Sequence, residues 1–246
     1  MDSRTRPAAD AHLTGDATDA TDATDATDAT DAVPITEREA LVGRLAWAAA
    51  WFGVALGLLH ALSRYRTEDG SGDLDAGIVS AWADPAGDLL SPLLTWADPD
   101  IVYTTYGKLW LPVFAAFTAM AFVARRHRAA RGFERFAWRV MPWVYVGACL
   151  SVAGEYWTQW TAEPNGLLDA VFLVSLPLVL LTMVGSTVLG TTLLVRGYRP
   201  RATAVLLAVA FPAALLIGTV TSMGNIVLPI AFAWGIAGRR LARAQL

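Results

Sequence analysis

Four ionisable side chains lie in or against the apolar runs of this chain: His60, Lys108, Glu155 and Asp169. Such groups are costly inside a bilayer and are the first candidates for function. His60 follows Gly53 and Gly57 at helical spacing, and Gly147, Ser151, Glu155 and Gln159 recur at every fourth position further along. Small and polar residues at that spacing share one helix face and turn it toward neighbouring helices. The pattern predicts that His60 and Glu155 face each other across a polar ligand pocket, with Gln159, Asp169, Asn225 and Trp157 nearby. A plainer reading stands beside it: Glu155 and Asp169 reach interfacial water, while His60 makes one capping or interhelical hydrogen bond.

The chemistry these residues exclude is sharper. The histidines are His12, His60 and His127, and no His-Glu-x-x-His run occurs. A zinc protease is therefore unsupported, and a haem held by two histidines within the membrane lacks its second ligand. Gly185-Ser186 has no histidine in the apolar stretch after residue 201 to serve as its base. Lys108 lies too near a segment end for a retinal-type Schiff base, and there is no phosphate-cradling glycine loop with its lysine. Cys149 is alone, which rules out an intrachain disulfide or a thiolate metal site. No carboxylate relay sits at mid-depth. No metal and no cofactor is expected, and the chain reads as non-enzymatic.

These side chains must be positioned by apolar helices. The 246 residues are 55% hydrophobic, with mean hydropathy +0.43, and 17% charged, against about 25% charged in soluble domains. A bilayer crossing takes roughly 20 apolar residues. Six segments qualify, at about 43–63, 104–124, 139–158, 170–195, 202–220 and 224–238. The predicted fold is all-α: a polytopic integral membrane bundle of six transmembrane helices. The last two segments share an uncharged stretch too long for one helix, and Gly224-Asn225 marks the turn between them. Five spans plus a re-entrant segment is the alternative. Thr182, Ser186 and Gly190 share a face suited to packing. Pro112, Pro142, Pro177, Pro212 and Pro229 read as kinks.

Arginine fixes the threading. One cluster is Arg125, Arg126, Arg128, Arg131, Arg135 and Arg139; a second is Arg196, Arg199 and Arg201; Arg239, Arg240 and Arg243 form the third. The positive-inside rule places all three in the cytoplasm and predicts an N-in/C-in protein of the plasma membrane. Clusters on the same side at 196–201 and 239–243 require an even number of crossings between them. Arg125, Arg126, Arg128 and Arg131 are expected to contact anionic lipid headgroups, at about 1 kcal/mol each. The clusters are loops and not one basic face, so no nucleic-acid partner is expected. The outer segment, 64–103, is acidic. Its two Asp-Pro pairs, Asp84-Pro85 and Asp98-Pro99, are helix-start signals. They predict a leucine-rich surface helix after Asp84, acting as a lid or resting on the bilayer, and a second start leading into the 104–124 span.

Residues 1–40 carry a strict Asp-Ala-Thr repeat from about Asp16 to Ala32. The repeat has no large apolar side chains, so this acidic tail is expected to be disordered. It is not expected to be a cleavable leader, because the first apolar run begins only near residue 41. Residues 41–246 form the transmembrane domain. The function this implies is a transport, permease-like or accessory subunit that binds a lipid or small molecule near the outer leaflet. The alternatives are a membrane-embedded enzyme acting on a lipid-linked substrate at the outer interface, or a purely structural or assembly subunit.

Overall fold

Proline decides where several of the apolar runs break. A proline has no N–H for the carbonyl four residues earlier, and its ring presses on that carbonyl. The computed structural model describes residues 34–158, 166–221 and 223–244. Its helices are α1 (Glu37–Arg64), α2 (Gly77–Leu89), α3 (Ser91–Leu94), α4 (Pro99–Lys108), α5 (Trp110–Arg126), α6 (Phe133–Thr158), α7 (Gly166–Val195), α8 (Arg201–Ala208), α9 (Ala210–Gly218) and α10 (Leu228–Arg243). Short 3-10 turns cover Ser71–Asp75 and Met223–Val227. The α4–α5 break falls at Leu109, three residues before Pro112, and the α8–α9 break at Val209, three before Pro212. Pro229 sits in the first turn of α10, where its missing N–H costs no helical bond. Pro142 and Pro177 stay inside α6 and α7.

No strand occurs among the described residues. Four helical stretches are long and apolar enough to cross a bilayer: Glu37–Arg64, Pro99–Arg126, Phe133–Thr158 and Ala170–Val195. The pair α8 and α9, bent by 55°, makes a fifth if it is one span. The segment expected at 224–238 is a 3-10 turn followed by the 16-residue α10. Large apolar side chains such as Trp143, Leu173 and Leu216 lie exposed on the bundle's flanks, as hydrocarbon contact would require.

The core is built on close helix contact and buried aromatics. α1 and α10 run antiparallel, with Gly43 against Gly238 and Gly53 against Leu228, and the 3-10 turn before α10 sets Asn225 against Gly57. α6 and α7 are also antiparallel: Tyr145 Oη lies 2.9 Å from Ser186 Oγ, and Ser151 donates to Ser175 at 2.6 Å. Thr182 bonds its own backbone at Leu178, and Gly190 sits against Leu207 and Ala208, so the Thr182–Ser186–Gly190 face is a packing face. Trp110, Trp138, Trp234 and Tyr145 are fully buried between the helices.

Thr36 starts α1 with a capping box. Its hydroxyl accepts from Glu39 N–H at 3.2 Å, and Glu39 accepts from Thr36 N–H at 3.1 Å. Thr36→Ala is expected to cost about 1 kcal/mol, read as a lowered thermal midpoint in detergent. The helix thus begins ahead of the expected 41–246 boundary. The repeat tail, residues 1–33, lies outside the described residues.

The acidic segment departs from expectation. Asp84-Pro85 does not start a helix; it lies inside α2, which begins at Gly77. Packing explains the earlier start. Val79 and Ala83 are buried against Ala61, Leu62 and Tyr65, and Trp82 Nε1 donates to the Val220 carbonyl at 3.0 Å. These contacts hold the turns that precede the proline. Asp98, by contrast, caps α4 as expected, accepting from Asp100 N–H at 3.0 Å.

Candidate functional site

At the bundle end away from the three arginine clusters, α1 brings His60 into an aromatic box. His60 is 1% exposed. Its Nε2 lies 2.9 Å from the Tyr156 hydroxyl. Its ring stacks on Tyr103 of α4, with centroids 4.8 Å apart, and meets Trp110 edge-on at 6.4 Å. One turn later Arg64 pairs with Asp73 at 3.3 Å and also interacts with Tyr103. The small residues on α1 let these groups approach. Asn225 reaches over Gly57 and donates from Nδ2 to its carbonyl at 3.2 Å. A Cβ on Gly224 would lie 2.8 Å from His60 Nδ1 and 3.0 Å from Trp110 Nε1. Only a glycine lets the 3-10 turn sit so close to both rings.

Two buried polar atoms here have no hydrogen-bond partner among the described residues: Trp110 Nε1 and Asn225 Oδ1. Beside them lies a cavity of about 110 Å³, bounded by α5, α6, α7 and the Met223–Val227 turn. Phe114, Val152, Val179 and Ile226 give it apolar walls. Its polar side chains are Trp110, Glu155, Tyr156, Thr182 and the mutually bonded Ser151 and Ser175. Phe172 and Leu176 line it from α7, and both are more than half exposed on the bundle's flank.

The expected site residues are only partly brought together. His60 and Asn225 converge through Gly57 and Gly224. Glu155 lies next to Tyr156 on α6, but the hydrogen bond of His60 Nε2 goes to Tyr156. Glu155 instead lines the cavity, half-buried, within electrostatic reach of Arg64. The expected face-to-face pair is thus corrected to His60–Tyr156: at the last turn of α6 it is residue 156 that meets α1 and α4, and Gly107 leaves room for its ring. Trp157 points away from the site, 51% exposed, with Lys108 Nζ 5.7 Å from its ring centre. Gln159 and the Asp169 side chain lie outside the described residues; the Asp169 backbone is in the first turn of α7.

Sequence reasoning missed Tyr103, Trp110 and Tyr156. Hydropathy counts their rings as apolar filling, although each carries a polar tip that needs a partner when buried. Among the described residues, no group of three or more His, Cys, Asp and Glu side chains is placed to hold a metal ion. What the arrangement offers chemically is an unpaired indole donor and a carboxyl on the lining of a largely apolar slot. No protein-family model matches the chain, no curated protein matches it, and no solved structure matches it.

Proposed function

We propose that this chain is a six-span plasma-membrane protein with both termini cytoplasmic, which binds a lipid or small molecule from the outer leaflet in a non-enzymatic transport, permease-like or accessory role. The observation that carries the binding reading is the cavity, apolar-walled with a few polar groups, lined by residues that also reach the exposed flank of α7. Ligand sites in helical bundles have this character, with a few polar groups set in apolar walls. The cavity is smaller than the roughly 300 Å³ lower bound for whole small-molecule sites, so it suits part of an amphiphile.

Two observations support the count of six. Thr203, in α8, donates to the Ala233 carbonyl at 2.8 Å, near the arginines of α10, while Val220 accepts from Trp82 at the other end. The α8–α9 pair thus runs between the two ends, which favours a bent crossing over a re-entrant loop. The uncharged stretch Met223–Gly238, the 3-10 turn and the first part of α10, rises about 27 Å when taken as collinear, close to a hydrocarbon core of about 30 Å. At the arginine-rich end, Arg128 is engaged by Glu134 and Arg126 lies 3.9 Å from Glu39. Contact with anionic headgroups accordingly falls more on Arg125, Arg131 and Arg126, whose side chain stays 74% exposed.

Val152→Trp tests the binding reading by filling the cavity. Native mass spectrometry of the protein from mild detergent is expected to show at least tenfold less co-purified amphiphile on the variant. Unchanged occupancy in a folded variant contradicts the reading. One observation favours an enzyme as the second reading: the Glu155 carboxyl borders the cavity beside the His60–Tyr156 pair. Turnover of a lipid-linked substrate that Glu155→Gln abolishes would select it.

A further inference from the structure

We propose that the cavity takes an amphiphile with a hydroxyl headgroup, whose oxygen accepts from Trp110 Nε1 and whose proton is donated to the Glu155 carboxyl. This inference rests on the binding reading above and narrows its ligand class.

Trp110 is 1% exposed, and its indole N–H has no acceptor among the described residues. A Cβ on Gly224 would lie 3.0 Å from this Nε1, and Trp110 and Gly224 both line the cavity. A buried donor without an acceptor is costly, so an occupant that offers an oxygen there gains affinity. The other polar groups of the lining are already engaged. Ser151 donates to Ser175, Thr182 to the Leu178 carbonyl, and the Tyr156 hydroxyl pairs with His60. Among the described residues, Glu155 uses only its backbone carbonyl, which accepts from the Thr158 hydroxyl at 3.3 Å, so its carboxyl can accept one.

Charge selects against the commoner headgroups. No lysine, arginine or histidine lines the cavity. A phosphate or carboxylate would be buried there next to a carboxyl group and with no cation in contact, Arg64 being paired with Asp73, at a large desolvation cost. A hydroxyl carries no such cost and supplies both an acceptor and a donor. The remaining walls are carbon. At about 110 Å³ the cavity holds the head and the first part of a chain. The rest of the chain leaves past Phe172 and Leu176 toward lipid.

The test titrates the full-length protein in detergent micelles with oleyl alcohol, oleyl phosphate and 1-octadecene, reading binding by native mass spectrometry. The alcohol is expected to bind at least tenfold more tightly than either of the others. Trp110→Phe keeps the ring and loses the N–H; it is expected to weaken the alcohol about tenfold and leave 1-octadecene unchanged. Should that core variant fold poorly, Glu155→Leu, at a half-buried position, repeats the test and is also expected to weaken the alcohol selectively. Phosphate binding as tight as the alcohol, or an alcohol affinity unmoved by these variants, overturns the hydroxyl assignment. The broader reading still stands in that case if Val152→Trp removes binding. Binding of every probe that is indifferent to Val152→Trp overturns both.

Discussion

Gly43→Val is expected to destabilise the purified protein by about 3 kcal/mol, the upper part of the range for overpacking a tight contact. α1 and α10 touch backbone to backbone at this level. A Cβ on Gly238 would sit 2.7 Å from Gly43 Cα, and a Cβ on Gly43 would run into the Gly238 carbonyl. Backbone cannot rotate aside as a side chain can, so the two helices must separate. The separation propagates along the antiparallel pair: Gly235 packs on Ala46 and Ala50, and at the far end Asn225 bonds the Gly57 carbonyl. Stability and the polar niche should therefore fail together. Gly72→Ala and Gly87→Ala are the controls, since a Cβ at either meets nothing within 4 Å; neither should lose more than about 0.5 kcal/mol, and Gly87→Ala, inside α2, should gain if anything. Thermal unfolding in detergent reads all three, and equal midpoints would contradict the close packing of α1 on α10.

Arg128→Ala is expected to cost about 3 kcal/mol. Glu134 has a side chain only 4% exposed, and Arg128 grips it with Nε at 2.7 Å from Oε1 and Nη2 at 3.4 Å from Oε2. Trp138 Nε1 adds a bond at 3.3 Å. The guanidinium also lies 5.7 Å from the Tyr198 ring centre. Burial pushes the Tyr198 phenol up to about 12, so the ring stays neutral beneath the cation. Breaking a buried pair from one side strands the other charge and costs about 3–5 kcal/mol. The lower end applies because Arg128 is itself partly exposed. Replacing both partners, Arg128→Met with Glu134→Leu, should recover most of the loss, because the buried charge is then gone. A double-mutant cycle in detergent that shows no coupling between these positions would contradict the account.

Helix placement was legible because hydropathy and proline act locally. The run read at 43–63 lies within α1, and the runs at 139–158 and 170–195 lie within α6 and α7. The Asp98 cap was visible because capping depends on neighbours in sequence. Asp84-Pro85 looked the same, yet it sits inside α2, because contacts from Tyr65, Leu62 and the Val220 carbonyl stabilise the turns before it. Nothing local to residue 84 encodes those contacts. The site shows the same division. The stripe Gly147–Ser151–Glu155 correctly marked an inward face, with Ser151 buried and Glu155 at the cavity. The partner of His60 was not legible, since a shift of one residue on α6 exchanges Glu155 for Tyr156, and spacing alone does not settle a helix's rotation. Trp110 was hidden for another reason: its function in the site comes from one N–H on an otherwise apolar ring.

The account holds that the cavity end of the bundle faces outward, and cysteine accessibility tests this most directly. In a Cys149→Ala background, Gly72→Cys and Arg131→Cys are placed separately, and intact cells are treated with a membrane-impermeant maleimide. Labelling at 72, with labelling at 131 only after the cells are opened, is the predicted result. Labelling at 131 in intact cells, with protection at 72, would invert the threading and contradict an outer-leaflet site.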